Sequence, residues 1–451
     1  MASRARLLTV LLFLIALLPS CGGPPKEKKE LIIWTDMTET VALRNAASRF
    51  TGKTGFPVRI VRVPFEELQP KFQVAAPVRH GPDLITGPHN WIGPFATAGL
   101  IAPIEIGPDE EKGYLPVALR VMSFKGRLYG LPLSLETLGL IYNKRFIKSP
   151  PRTFQELITV ADHINKGTTG ELRTVGNFSS MLNFDAFTGE KMSGFLYEIE
   201  DFYFSWSFIG GYGAYIFKET PGGLDPLDVG ISCPEAVEAT KFILDLKKKY
   251  QIIPQGVTKD IANARFLENR LAMTINGPWA LVDFRKKVEF GFAPIPQLEN
   301  GKAPSPLVGV QGVMLNSKSF HKDLALQLMK EITSSEGQVE IYLEGGRIPS
   351  RFDAQKDSRI SEKAILRGSP GEQPGGPALV FSLASVKNDE VKGIIDAAAV
   401  GTPMPNIPEF TAVWQPMKEA LQLIVMEKIP PEEALTQAKN RIEQDIRRMM
   451  R

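Results

Sequence analysis

The chain has 451 residues, a formal net charge of +3 from 53 Lys and Arg against 50 Asp and Glu, four histidines and two cysteines. So nearly neutral a balance, with no basic block beyond the terminal Arg447, Arg448 and Arg451, gives no electrostatic case for a nucleic-acid partner. Cys233 has no plausible partner for a disulfide framework, and His80, His89, His163 and His321 are too scattered for metal-ligand spacing, so neither a metal nor any other cofactor is expected.

Arg4 and Arg6 precede an apolar run from Leu7 to Leu18 broken only by Thr9, followed by Pro19, Ser20 and Cys21. This is a signal peptide over residues 1–20, too short to span a membrane as a stable helix. Its ending, LPSC, resembles the bacterial lipoprotein cleavage box, which implies that Cys21 becomes the lipid-bearing first residue and that residues 21–30 form a lipid-anchored tether. The remainder is then expected outside the cytoplasm, in the periplasm or at the outer face of the plasma membrane.

Roughly 430 residues follow, more than one hydrophobic core usually serves, so two lobes are expected. Residues 31–34 read as a short buried strand. Residues 38–50 place Leu43, Ala47 and Phe50 at helical spacing, with Gly52 as the stop. Residues 56–63 alternate as a strand, 66–74 are helical in spite of Pro70, and 83–86 form a strand running into GPHNWIG. This β-α-β-α-β order predicts a mostly parallel sheet with right-handed crossovers, and such sheets bind ligands beyond the carboxyl ends of their strands, here at 36–39 and 87–91.

Residues 130–144, GLPLSLETLGLIYNK, set apolar residues on both sides of one carboxylate, Glu136. The run reads as a strand buried on both faces. An unpaired carboxylate inside it is costly, so Glu136 needs either a partner or a place at the lip of a cavity, where a ligand's polar groups meet it. A helix is expected from Thr153 to about Asn165. Residues 166–195, rich in Gly, Thr, Ser and Asn, read as a surface insertion, and 352–388 as a second insertion. Residues 201–217 (DFYFSWSFIGGYGAYIF) are the densest aromatic segment. Ser232 and Glu235 predict a capping box for a helix presenting Val237, Phe242, Ile243 and Leu246 to a core. A helix near 262–268, the segment AMTINGPWA and a strand at 290–295 come next. Then follow a glycine-punctuated hinge candidate at 307–316, a loop at 368–376, and helices from about Glu409 and from Pro431.

Seven motifs are each weak alone: IIWTD, HGPDLITGPHN (80–90), YGLPLSLETLGLIYNK (129–144), DFYFSW (201–206), MTINGPW (273–279), VGVQG (308–312) and MPNIPEFTAVW (404–414). In this order they make the chain from Leu31 to about Met449 resemble the maltose- and maltodextrin-binding proteins of bacterial ABC importers. The resemblance implies an α/β, two-lobe periplasmic-binding-protein fold of type II, each lobe a mostly parallel sheet flanked by helices, with the ligand cleft between the lobes. It implies an N-terminal lobe of residues 31–135 and 312–360, a C-terminal lobe of 139–308 and 375–451, and hinge crossings at 136–138, 309–311 and about 361–374. It further implies a monomer that is not an enzyme. Such a protein captures a malto-oligosaccharide or related α-glucoside by closing its lobes and delivers it to the membrane subunits of an ABC importer.

Residue by residue, Glu136, Tyr203, Trp279 and Trp414 match family residues that contact sugar, and Asp201 matches a family Glu on a longer arm. Asn90 and Trp91 stand where the enteric pattern has an acid and a base, Gly87 stands where it has a Trp, and Gln415 replaces an aromatic. Trp91 is thus the candidate for the lost platform. Asp36 and Glu39, past the first strand, complete the expected ligand-binding set. These departures leave trehalose, longer maltodextrins and cyclodextrins open as ligands.

The chemistry agrees with a sugar. A pyranose packs its C–H face on aromatic rings and offers a belt of hydroxyls to carboxylates, amides and guanidinium groups. Trp34, Trp91, Trp206, Trp279 and Trp414 all fall in or beside the motif segments. Trp34 and Trp206 read as core, Trp279 and Trp414 as ring faces for a ligand. A secreted glycoside hydrolase would use similar acids and rings, but no carboxylate has a neighbour that marks it as a raised-pKa acid; an adhesive lipoprotein without a ligand would leave the cleft motifs unused. Truncating Glu136 or Trp279 to alanine is expected to weaken sugar binding and leave folding intact.

Overall fold

The computed structural model describes residues 29–37, 40–187, 191–221, 223–360, 365–367, 382–384 and 389–451. The signal peptide, Cys21 and most of the tether, Glu39, the loop at 368–376, and most of both the third crossing and the second insertion's far half lie outside the described residues.

The strands of the two principal sheets are β1 (Leu31–Thr35), β2 (Val58–Arg62), β3 (Leu84–Pro88), β4 (Gly130–Glu136), β5 (Gly139–Asn143), β6 (Ser193–Leu196), β7 (Leu271–Asn276), β8 (Phe290–Ala293), β9 (Leu307–Leu315), β10 (Ile348–Pro349) and β11 (Thr402–Pro403). The first sheet has the order β10-β4-β9-β3-β1-β2, with β11 pairing the start of β9; the second has the order β8-β5-β7-β6. β1 pairs in parallel with β2 and β3, as the β-α-β-α-β order predicts. β7 likewise pairs in parallel with β6, and β9 with β11, but the remaining pairs depart from the expected mostly parallel sheets. β9 runs antiparallel to β3 and β4, and β5 antiparallel to β7 and β8.

The connections account for this mixture. β4 ends at Glu136, and after Thr137 and Leu138 alone the chain enters the second sheet as β5, so the stretch 130–144 is two strands in two sheets. β9 comes back from the second sheet directly, without the helical crossover that a parallel neighbour requires. Its first two residues pair with β11, and those from Gly309 onward pair with β4. The glycine-punctuated run read as a hinge candidate is therefore a strand buried along its whole length.

Helices α1 (Thr40–Thr54), α2 (Phe65–Ala75), α3 (Phe154–Lys166), α4 (Phe202–Tyr212), α5 (Pro234–Lys248), α6 (Lys259–Leu267), α7 (Lys322–Ile332), α8 (Ser335–Gly345), α9 (Asp389–Ala399), α10 (Thr411–Val425) and α11 (Pro431–Met449) flank the sheets. α7 and α8 pack on α1 beside the first sheet, α3, α6 and α9 pack on strands of the second, and α4, α5, α10 and α11 pack on one another.

Three local expectations change. α1 continues through Gly52, and the chain turns instead at Gly55, whose φ of 71° suits a residue without a Cβ. Residues 166–187, read as part of a surface insertion, are largely exposed but not detached: short turns at 169–174 and 184–186 bring Leu172, Phe178, Met181 and Leu182 into the core, and β6 joins the second sheet. The box at Ser232 and Glu235 does not form, because α5 starts at Pro234: Cys233 takes the N-cap and Ser232 falls one position outside it. Thr153 does cap α3, its hydroxyl accepting from the Glu156 amide at 3.2 Å.

Candidate functional site

Between the elements of the two sheets lies a cavity of about 1130 Å³. On its wall stand Asp36, Asn90, Trp91, Glu136, Asp201, Tyr203, Trp279, Trp414 and Gln415, which are all the predicted ligand contacts among the described residues. A second hollow of about 820 Å³, walled by Pro150, Pro151, Pro294, Pro296 and Pro304, holds none of them.

The first sheet supplies its part from strand ends. Asp36 follows β1, Asn90 and Trp91 follow β3, and Glu136 closes β4. Those are the carboxyl ends of strands, where an open α/β sheet presents loops to a ligand. Glu136 meets both conditions set by its apolar surroundings. Its carboxylate pairs with the Arg347 guanidinium, the two side chains being 12% and 2% exposed, and both residues line the cavity. Sequence reasoning missed Arg347. Its signal was a lone Arg in GGRIPS, as anomalous there as Glu136 is in its own run.

Trp91 stands over Gly87, where a Cβ would come within 2.3 Å of Trp91 Cε3. The indole thus fills the space of a side chain at position 87. It is 4% exposed, stacked on Phe65 (5.6 Å between centroids, 22° between planes) and tilted against Phe95 at 5.7 Å. Its faces are largely taken. The open aromatic surface here belongs to Phe65, 46% exposed on α2 and absent from the sequence-based set.

From the other side, Asp201 caps α4, its Oδ1 accepting from the Tyr203 and Phe204 amides at 2.8 and 3.2 Å. Burial pushes its carboxyl above the usual range, against the pull of those amides. Tyr203 packs on Trp279 with centroids 6.0 Å apart; burial raises its hydroxyl pKa, and the charge of Asp201 adds to the rise. Trp414, on α10, packs against Phe410 at 4.8 Å and Phe202 at 5.7 Å. Gln415 is exposed and donates its amide to Glu419 at 2.7 Å. Trp206, read as core, is 1% exposed, and Trp34 is partly buried against the core.

Gln311, Lys259 and Lys418 also line the cavity and went unpredicted. Among the described residues, the side-chain oxygens Asn90 Oδ1 and Gln311 Oε1 are buried without a hydrogen-bond partner. No cluster of His, Cys, Asp and Glu that could hold a metal ion occurs among the described residues. The site therefore combines half-open rings, carboxylates, a buried guanidinium and unmet acceptors, a set suited to a neutral polyhydroxylated ligand.

Comparison with known proteins bears on that ligand. The sequence profile described as bacterial extracellular solute-binding protein matches residues 45–368. The chain is 26% identical over 438 residues to the galactooligosaccharide-binding protein of Bacillus subtilis (strain 168), covering 93% of this chain and 92% of that one. It is 27% identical over 396 residues to the maltodextrin-binding protein MdxE of the same organism, covering 86% and 83%. Among solved structures, it is similar to the Thermus thermophilus maltotriose-binding protein bound with maltotriose, with a TM-score of 0.78 and 32% identity over 92% of this chain and 100% of that one.

Proposed function

The chain belongs to the bacterial extracellular solute-binding proteins, and we propose that it captures a malto-oligosaccharide or related α-glucoside in the cavity between its sheets and delivers it to an ABC importer. Its fold is the two-lobe α/β fold of the type II sugar-binding proteins, and its relatives are binding proteins, not enzymes.

One observation carries the reading. The acids and rings that suit a sugar come from elements of both sheets and meet in one cavity, while the chain passes from sheet to sheet through two residues, Thr137 and Leu138. Closing the lobes would bury the sugar, and contacts made only in the closed state would shift the population toward it. Hinges at 136–138, 309–311 and about 361–374, with lobes of 31–135 plus 312–360 and 139–308 plus 375–451, fit this motion. Phe65, Trp279, Tyr203 and Trp414 would stack on pyranose faces, and Glu136, Arg347, Asp201 and Asn90 would meet hydroxyls. Anchoring through a lipid on Cys21, which the LPSC box supports, would hold the protein beside the importer.

Galacto-oligosaccharides are the second ligand class, favoured by the 26% identity to a galactooligosaccharide-binding protein. A calorimetric and thermal-shift panel of maltose, maltotriose, longer maltodextrins, trehalose, cyclodextrins and galacto-oligosaccharides decides. Stoichiometric binding with stabilisation of about 2.7 kcal/mol at a hundredfold excess over Kd, and no new reducing ends, is expected. Catalytic release of shorter sugars would overturn the capture reading.

A further inference from the structure

Gln311 lies on β9, is 2% exposed, and lines the cavity with its Oε1 unpartnered among the described residues. A buried amide oxygen without a donor is costly, and an apolar side chain would sit in such a place at less expense. The backbone explains how the amide reaches the cavity. Gln311 stands opposite Pro88 of β3 and Ser134 of β4, and the pairing with β4 shifts register between Gln311 and Gly312. The extra residue there is Leu133 of β4, so β9 keeps its alternation and turns Gln311 to the same face as Gly309, toward the cavity.

Two residues back on the same strand is Gly309, also on the cavity wall and opposite Glu136. A Cβ at Gly309 would meet Met404 Cε at 3.5 Å and His89 Nδ1 at 4.0 Å, ordinary contact without a clash, so the bare strand leaves the cavity wall low at this point. The low wall at Gly309, the Glu136–Arg347 pair beside it and an unmet acceptor at Gln311 form a row in which acceptor and donor groups face the same volume. A pyranose hydroxyl, which both donates and accepts, fits that row.

We propose that Gln311 is a specificity-determining contact of the cavity, its Oε1 accepting the hydrogen of one ring hydroxyl of a sugar unit seated over Gly309, so that ligands lacking this hydroxyl are rejected. The inference rests on the sugar-capture reading above. A site built to bond a particular hydroxyl discriminates strongly against the deoxy analogue, because its own buried group is then left unpaired.

The test titrates the wild-type protein, Gln311→Leu and Gln311→Glu with maltotriose and with a series of its monodeoxy analogues. The wild-type protein should disfavour one analogue in particular. Gln311→Leu should bind maltotriose roughly tenfold or more weakly, lose that one discrimination and keep the others. Its ligand-free melting temperature should not fall, since an unpartnered amide has been replaced by an apolar group. Gln311→Glu, which keeps an acceptor, should keep the discrimination. Wild-type affinity in Gln311→Leu, or an equal loss for every analogue, overturns the role of Gln311. A wild-type protein that does not bind maltotriose overturns the capture reading for glucans and the inference with it, an outcome visible before any variant is made.

Discussion

Lys259 Nζ lies 3.3 Å from Glu66 Oε1, joining α6 beside the second sheet to α2 beside the first across the cavity they both line. The Glu66 carboxyl is held below its ordinary value by a bond to its own backbone amide and then by the Lys259 charge. The side chains are 69% and 33% exposed for Glu66 and Lys259, and exposed pairs contribute about 0.2–1 kcal/mol. If the pair favours the closed arrangement, Lys259→Met should weaken maltotriose binding by no more than about fivefold, and the difference should shrink at about 1 M salt. Calorimetry of both proteins at low and high salt checks this. A loss well beyond tenfold that ignores salt would instead make Lys259 a direct sugar contact.

Glu136 and Arg347 make a second pair of a different kind, with side chains 12% and 2% exposed. Breaking a buried pair by removing one partner costs about 3–5 kcal/mol, because the remaining charge stays buried. Glu136→Ala should therefore lower the urea midpoint of the ligand-free protein as well as abolish tight sugar binding, contrary to the expectation drawn from the sequence that folding would be untouched. An unchanged midpoint would mean the pair adds nothing to stability.

Trp279→Ala separates binding from folding more cleanly. The ring is half-buried, touches Tyr203 and lines the cavity. Its removal should cost at least tenfold in maltotriose affinity, since stacking on a sugar face is lost, while the ligand-free midpoint shifts by about 1–2 kcal/mol. A variant that unfolds would make Trp279 a core residue.

Much of this site was legible in the sequence because its signals are local. Glu136 is an anomaly within its own run, and the parallel β1, β2 and β3 follow from apolar runs alternating with helical spacing. What stayed hidden depends on distant chain. Arg347 is 211 positions from Glu136, and no period links them. The antiparallel entry of β9 is decided by where the chain returns from the second sheet, which its own composition does not encode. Trp91 was read as a platform because its position was known and its neighbours were not. Phe65, stacked on it from α2, takes the exposed face.

The exchange at Gly87 leads to a further test. Gly87→Ala would set a Cβ within 2.3 Å of Trp91 Cε3 and 2.4 Å of Cζ3, while Phe65 and Phe95 pack against the same ring. Overpacking of this kind costs about 1–3 kcal/mol. The variant should show that loss in urea denaturation together with an altered Trp emission. A variant as stable as the wild type would mean the indole has room to move aside.

His89 sets an acid limit on the fold. The ring is 1% exposed, accepts at Nδ1 from the Val310 amide at 3.0 Å, and lies 2.8 Å from the Met404 carbonyl at Nε2. The Val310 N–H requires a bare Nδ1, so the proton sits on Nε2 and is donated to Met404. A second proton would face the Val310 N–H head on and would carry charge into a dry site. Burial accordingly holds the pKa down at about 4, against an ordinary value near 6.5. Between those two values the unfolded chain binds a proton that the folded chain refuses, so stability must fall as the pH is lowered through this window and is fully present above it. The size is about 3 kcal/mol over the whole window, at about 1.36 kcal/mol per unit of pKa difference. His89→Gln cannot titrate. Urea midpoints measured near neutral pH and near pH ~4.5 should therefore show the wild-type protein losing about 2–3 kcal/mol more than the variant. Parallel losses in the two proteins would show that the imidazole takes its proton without disturbing the strand at Val310.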